Sequence, residues 1–411
     1  MHDASAPPPT LWIRSETPRN GGPRSAWLGR NTDGVMAFLC GSRRRKAESW
    51  RETVGRARLR DLGISIGRLP TGPLNAITDV SGVLVGHCTL VWDAPRIART
   101  GVTMVVPRSG AIWEDRTFAG HHSFNGNGEM TGLLWLEESG MLDGPIGITN
   151  THAVGVVRDA IVAFGVERGY VQSFMLPVVA ETYDGWLNDI GAFHVTRDHA
   201  FQALSAAREG AVAEGNVGGG TGMRCHEFKG GIGTSSRRIE LPDRQYVVGA
   251  LVQANYGRMA DLRVDGAPVG RELAAIRESA DPGDSGSIIV ILATDAPLLP
   301  GQCRRLAQRA TVGLARAGGF GFNSSGDIFL AFATGNHLPV RPVKSVDLRM
   351  LPNEQMDPFF QGAAESVEEA ILNALTAAET MTGFRGTCPA LPLAEVQAIM
   401  RRYRSSPGGS G

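Results

Sequence analysis

The segment Ser287-Ile288-Ile289-Val290-Ile291-Leu292-Ala293 carries no charge and is apolar at every position after the first. An apolar run of this length, entered from the turn-forming stretch Asp281-Pro282-Gly283-Asp284-Ser285-Gly286, reads as a central strand with both faces buried. Tyr246–Gln253 and Ile328–Thr334 read as further strands. Shorter strand signals lie at Gly82–Gly86, Val102–Val106 and Pro145–Thr149. Apolar residues at helical spacing predict helices over 153–169, 200–214, 304–317 and 366–380, the last opened by a capping box of Ser366 and Glu369. Helices and strands mixed in this way predict a layered α/β domain. No fixed-period repeat is present.

Charge separates the chain into two parts. Residues 1–60 hold 12 of the 41 Lys+Arg and 5 of the 41 Asp+Glu, which leaves 29 and 36 for the remainder. The basic part contains Pro7-Pro8-Pro9 and Arg43-Arg44-Arg45-Lys46, and has no sustained period. Its apolar patch Val35–Cys40 precedes the basic run, the reverse of a secretory signal. Residues 1–58 are therefore expected to be a basic, disordered extension, and residues 59–411 a single folded domain. The balanced total charge gives no global field for nucleic acid, and no apolar run approaches membrane-spanning length. Five scattered cysteines (Cys40, Cys88, Cys225, Cys303, Cys388) form no C-x-x-C pair. They predict buried small side chains in a reducing, cytoplasmic setting.

Three features bear on chemistry. The loop Gly215-Asn216-Val217-Gly218-Gly219-Gly220-Thr221-Gly222 lacks the Lys of a P-loop and the spacing of a dinucleotide fingerprint. It reads as a packing turn, or as a loop that brings backbone amides to a site. His121-His122 lies near Glu114 and Asp115, and His152 sits at a strand-to-helix turn, but no metal-ligand spacing appears and no metal or cofactor is expected. At the third, Gly286-Ser287, a break in the chain would give Ser287 a free α-amine beside its own hydroxyl. With an ordinary pKa of about 7.7–8.0, that amine is suited to accept the hydroxyl proton. The same Gly-Ser step also reads as the ordinary start of a strand.

Several segments together resemble the L-aminopeptidase/D-esterase-amidase family of self-processing serine aminopeptidases, which includes the β-peptidyl aminopeptidases. They are Arg60-Asp61-Leu62-Gly63, Asn125–Gly132, Ile148–His152, Ala180–Gly185, Gly215–Gly222, Gln253–Gly257, Gly286–Ile289 and Asn323–Asp327. The resemblance implies a four-layer α-β-β-α sandwich similar to N-terminal nucleophile hydrolases but differently connected. It implies cleavage between Gly286 and Ser287, giving an α chain (1–286) and a β chain (287–411), and a tetramer of such processed protomers. It implies release of N-terminal residues from short peptides, amides and esters through an acyl-Ser287 intermediate.

By the same resemblance Asn255 is the oxyanion donor, Tyr183 lies near the scissile carbonyl, and Ser325 with Asp327 orients groups and handles protons. Glu181 is the candidate anchor for the substrate ammonium, with Asp184 and Glu129 next in line. An acyltransferase of the ornithine acetyltransferase type would carry Thr in place of Ser287. A non-enzymatic binding protein on the same scaffold would not need the intact set.

Overall fold

In the computed structural model, residues 56–405 are described, apart from 111, 172, 243, 277–285 and 342–343. Residues 1–55 of the expected basic extension and most of the Asp281–Gly286 turn therefore lie outside the described residues. The last residues of that extension are ordered, since Arg56 donates to the Leu391 and Leu375 carbonyls and Arg58 pairs with Glu214 at 2.7 Å. All described residues fall within one compact unit, Glu52–Gly411.

In chain order the first half comprises β1 (Leu84–Trp92), β2 (Ala98–Val106), β3 (Asp115–Gly126), α1 (Leu133–Ser139), β4 (Met141–Leu142), β5 (Ile146–Asn150), α2 (Val154–Glu167), β6 (Val178–Thr182) and α3 (Arg197–Ser205). The hairpin β7 (Arg224–Cys225) and β8 (Phe228–Lys229) leads into β9 (Gly231–Glu240), β10 (Gln245–Asn255) and α4 (Val269–Ala274). Then come β11 (Ser287–Thr294), α5 (Pro300–Gln308), α6 (Ala310–Arg316), β12 (Gly326–Pro339), α7 (Asp357–Ala377), β13 (Met381–Thr382), β14 (Thr387–Cys388) and α8 (Leu393–Ser405).

Two sheets form the centre, in the orders β1-β2-β5-β6 and β4-β3-β12-β11-β10-β9. The pleat of β11 shows how they stack. Ile289, Ile291 and Ala293 point into the core between the sheets, where they meet Val105, Ile146, Ile148 and Ala180 of the smaller sheet. Ile288, Val290 and Leu292 point the other way, into a core built with Leu306, Ala310, Leu314, Val367 and Ile371 of α5, α6 and α7. The smaller sheet is covered outside by α2 and α3, through Val157, Ala160, Ile161, Ala200 and Ala203 on Val102, Met104 and Val179. The result is the four-layer α-β-β-α sandwich. A strand covered on both faces has no polar face to present, which is why β11 reads as an unbroken apolar run.

Several boundaries differ from the sequence reading. The helix expected over 200–214 ends at Ser205, because Arg208 leaves to bridge Val85 of β1 and Gly210 takes a positive φ. The helix expected over 304–317 begins at Pro300 and is divided at Arg309 into α5 and α6. The capping box at Ser366 does not exist: α7 begins nine residues earlier, at Asp357. Ser366 and Glu369 are buried inside it, where Glu369 pairs with Arg237 at 2.7 Å and with Arg60 at 2.7 Å. Side-chain partners across the fold, invisible to a local pattern, explain those polar residues. The Gly-rich stretch Lys229–Thr234 runs into the long buried strand β9.

The Gly loop is a packing turn. A Cβ on Gly219 would lie 2.2 Å from Gln253 Oε1 and 2.7 Å from the Ile148 carbonyl. The loop is wedged between the sheets, and side chains of β1 and β2 satisfy its amides: Thr89 Oγ1 accepts from Gly218 N, and Thr103 Oγ1 from Gly219 N.

Candidate active site

Strand order brings the chemistry together. β10 ends, and β11 and β12 begin, at the same edge of the large sheet; β3 ends there beside β12. Asn255 stands opposite Ser287, and Ile288 stands opposite Asp327. The ends of β5 and β6 supply Thr151 and Glu181 from the other sheet. A cavity of about 1100 Å³ opens over this edge, lined among others by Ser287, Gly286, Asn255, Tyr183, Glu181 and Arg224.

Gly286 is required by space. A Cβ there would lie 1.5 Å from the Asn255 carbonyl oxygen and 2.9 Å from Asn255 Nδ2. No side chain fits, and the same measurement puts the Asn255 amide beside the Gly286–Ser287 bond. Asn255 is held at both ends: Nδ2 donates to the Tyr183 carbonyl at 2.9 Å, and Oδ1 accepts from Arg224 N at 2.8 Å. An amide has two N–H donors, so one remains for a developing oxyanion.

Ser287 is buried at the cavity floor, and its Oγ accepts from Gly326 N at 3.1 Å. The Ser325 hydroxyl reaches both the Gly286 carbonyl and Asp327 Oδ1, the latter at 2.6 Å. One hydroxyl has one proton, so it donates to one of these at a time. Asp327 decides which. Burial pushes its carboxyl up to about 6, against opposing hydrogen bonds from Ser325 and the Ile288 amide, and its Oδ2 is buried without a partner. When protonated, Asp327 donates to Ser325 and leaves the Ser325 proton for the Gly286 carbonyl.

Glu181 is buried at the cavity wall rather than lying on a solvated face. Its Oε1 accepts from Glu129 N at 3.0 Å and its Oε2 from Thr151 Oγ1. Burial raises its pKa, against the hydrogen bonds from Thr151 and the Glu129 amide. Glu129 lines the same wall and is exposed. Asp184 does not line the cavity. It is fully buried, Asn188 Nδ2 donates to it at 3.1 Å, and burial pushes it up to about 7.

Tyr183 lines the cavity, nearly half exposed. It enters the site through its main-chain carbonyl, which holds Asn255. Its ring lies over Gly185, where an added Cβ would be 2.3 Å from the Tyr183 hydroxyl.

The histidines lie elsewhere. His121 and His122 are paired with Leu330 and Phe329 on β12, and His152 stacks on Phe193; none lines the cavity. Among the described residues, no group of three or more His, Cys, Asp or Glu is placed to hold a metal ion. Cys88, Cys225, Cys303 and Cys388 are free and buried, while Cys40 lies outside the described residues. No helix of the described residues is long and apolar enough to cross a membrane.

Sequence reasoning missed Thr151, the Gly326 amide, Trp186, Arg224, Glu227 and Arg385, all at or beside the cavity. Thr151 was in view within Asn150-Thr151-His152. Arg385 comes from a hairpin about 100 residues beyond the nucleophile and carries no local signal.

A family model described as Peptidase family S58 matches residues 75–388. The chain is 49% identical over 372 residues to a protein named beta-peptidyl aminopeptidase BapA from Sphingosinicella microcystinivorans, covering 84% of this chain and 92% of that one. Among solved structures, a Burkholderia sp. beta-aminopeptidase superposes with a TM-score of 0.81 at 51% identity, covering 85% of this chain and all of that one. The L-aminopeptidase D-Ala-esterase/amidase of Ochrobactrum anthropi, described as a new variant among the Ntn hydrolase fold, superposes with a TM-score of 0.80 at 45% identity. It covers 84% of this chain and 99% of that one.

Proposed function

The chain belongs to peptidase family S58 and is an aminopeptidase, and from that premise we propose that it activates itself by cleavage at Gly286–Ser287 and works through Ser287. The observation that carries this reading is the convergence of the Ser287 hydroxyl, the Gly286 carbonyl and the Asn255 amide on one cavity floor.

These positions support self-cleavage. Ser287 Oγ attacks the Gly286 carbonyl carbon, its proton passes to the Ser287 nitrogen as the C–N bond breaks, and an ester joins Gly286 to Ser287 Oγ. Water hydrolyses that ester, leaving a Gly286 carboxylate and a Ser287 with free amine and free hydroxyl. The Ser325 hydroxyl polarises the Gly286 carbonyl during attack, and Asn255 stabilises the tetrahedral oxyanion.

The exposed amine is then the base for substrate. It takes the hydroxyl proton as Oγ attacks, and returns it to the departing amine. Water releases the acyl group. Glu181, with Glu129 beside it, holds the substrate's ammonium, so that only the N-terminal residue presents its carbonyl to Ser287. Amides and esters of amino acids fit the same scheme, since only the leaving group changes, and D- and β-residues are accommodated in the wide cavity.

The test compares wild type with Ser287→Ala on free and N-acetylated aminoacyl p-nitroanilides. Wild type is expected to turn over the free-amine substrate and refuse the blocked one, while Ser287→Ala stays uncut and inactive. Turnover by Ser287→Ala would remove Ser287 from the mechanism.

A further inference from the structure

The cavity is charged oppositely at its two ends, and strand order fixes which end is which. The β3–β12 side carries Asn127–Glu129 and Ser324, with Glu181 behind Glu129. Ser287 on β11 is in the middle. Beyond β10, on the side away from Glu129 and Glu181, the β7–β8 hairpin presents Arg224, whose main-chain N–H grips Asn255. Arg224 stacks its guanidinium 4.2 Å from the Trp186 ring centroid. Arg385, from the turn between β13 and β14, lines the same wall.

This wall is built rather than incidental. The β13–β14 turn is fastened to the Trp186 segment by main-chain bonds, Phe384 N to the Leu187 carbonyl at 2.8 Å and Arg385 N to the Trp186 carbonyl at 3.0 Å. Arg224 Nε is buried without a hydrogen-bond partner, and the Cys388 thiol lies beside the guanidinium. Neither arginine occurs among the ion pairs formed between described residues. Glu227 lines the same wall and uses Oε1 to accept from Met259 N at 3.2 Å.

We propose that Arg224 and Arg385 form a carboxylate subsite on the leaving-group side of Ser287, which selects short peptides with a free C-terminus. The inference rests on the aminopeptidase reading above and adds a substrate class to it. With the ammonium anchored near Glu181 and the scissile carbonyl at Ser287, the leaving residue extends across β10 toward the arginines. From β12 to β10 is two strand spacings, roughly 10 Å. A peptide of two or three residues spans about 7–10 Å. Its two terminal charges then match the two ends of the cavity, and a longer peptide must leave its carboxylate beyond the arginine wall. Arginine suits the task because its planar fork binds a carboxylate bidentately and stacks on an aromatic ring at the same time.

The experiment compares a β-alanyl dipeptide free acid with its C-terminal amide, which keep the same amine and scissile bond. Wild type is expected to favour the acid about tenfold in kcat/KM, through KM, as one charge-assisted contact provides. The acid-to-amide ratio is expected to fall toward one in Arg385→Gln and further in the Arg224→Gln/Arg385→Gln pair. Two fragments on a denaturing gel report that each variant has folded. Arg385 is exposed, so its single variant carries the test should the pair fail to fold. An acid-to-amide ratio near one in wild type, or a ratio unchanged in the variants, overturns the subsite. If wild type cleaves amides and p-nitroanilides with no preference for the acid, only this inference fails. If it cleaves no free-amine substrate at all, the aminopeptidase reading fails with it.

Discussion

Replacing Asn255 by Ala separates its chemical role from its structural one. The side chain is nearly buried, and both ends are engaged. Nδ2 lies beside Gly286, since a Cβ on that glycine would be 2.9 Å from it, and one of its two N–H groups is left for the oxyanion. Loss of one preorganised oxyanion donor costs roughly 2.7–4 kcal/mol in the transition state. At about 1.36 kcal/mol per factor of ten, kcat falls ~10²–10³-fold, and KM moves little because the donor is used only as charge develops. Self-cleavage slows by the same reasoning, so the cut fraction must be measured by gel and the rate normalised to it.

The structural part is read independently. Arg224 N and the Tyr183 carbonyl each lose a partner, at about 1–3 kcal/mol apiece if left unsatisfied. That lowers the melting temperature by several degrees, at roughly 2–4 °C per kcal/mol for large domains. Steady-state kinetics well below the melting transition then isolate the chemical term. A loss of kcat smaller than about tenfold in cut, folded enzyme would refute the oxyanion role.

Three further outcomes are expected. Glu181→Gln lowers kcat/KM for free-amine substrates by ~10²-fold or more, as loss of a buried ammonium–carboxylate pair implies, yet spares self-cleavage, which involves no substrate ammonium; slowed self-cleavage on a timed gel would mean that Glu181 only braces Thr151 and Glu129. Ser325→Ala slows self-cleavage ~10–100-fold by removing the hydroxyl from the Gly286 carbonyl, read as persistence of the uncut chain; cutting at the wild-type rate would remove Ser325 from the reaction. Asp184 has its folded-state pKa pushed by burial to about 7, above the ordinary 3.8, so its stabilising contribution is present at low pH and lost as pH rises through about 7. Asp184→Asn is therefore expected to raise the melting temperature more at pH 8 than at pH 5, and a gain independent of pH would contradict the burial argument.

How much was legible follows from where each signal resides. β11 was readable because burial on both faces leaves a continuous apolar run in the sequence. Ser287, Asn255, Ser325 and Asp327 sit at strand ends, where the change from apolar run to polar turn marks them. β3 was missed because its Asp-Arg-Thr-Phe-Ala-Gly-His-His run mixes core and surface positions. The polar interior of α7 was mistaken for a helix start because Glu365 and Glu369 are neutralised by Arg237, which lies more than 120 residues away. Arg224 and Arg385 reach the site from separate hairpins, and only the folded chain brings them to one wall. Glu181 was legible as a candidate, but its bonds to Thr151 and to the Glu129 amide were not.

The central claim is that Ser287 becomes an N-terminal nucleophile by cutting its own chain. N-terminal sequencing of the small fragment of purified wild-type protein, expressed without added protease, tests it most directly. The expected small fragment begins Ser-Ile-Ile-Val, and the two chains run as bands of about 13 and 30 kDa. A fragment beginning at another residue, or full activity in protein that remains a single uncut chain, would contradict it.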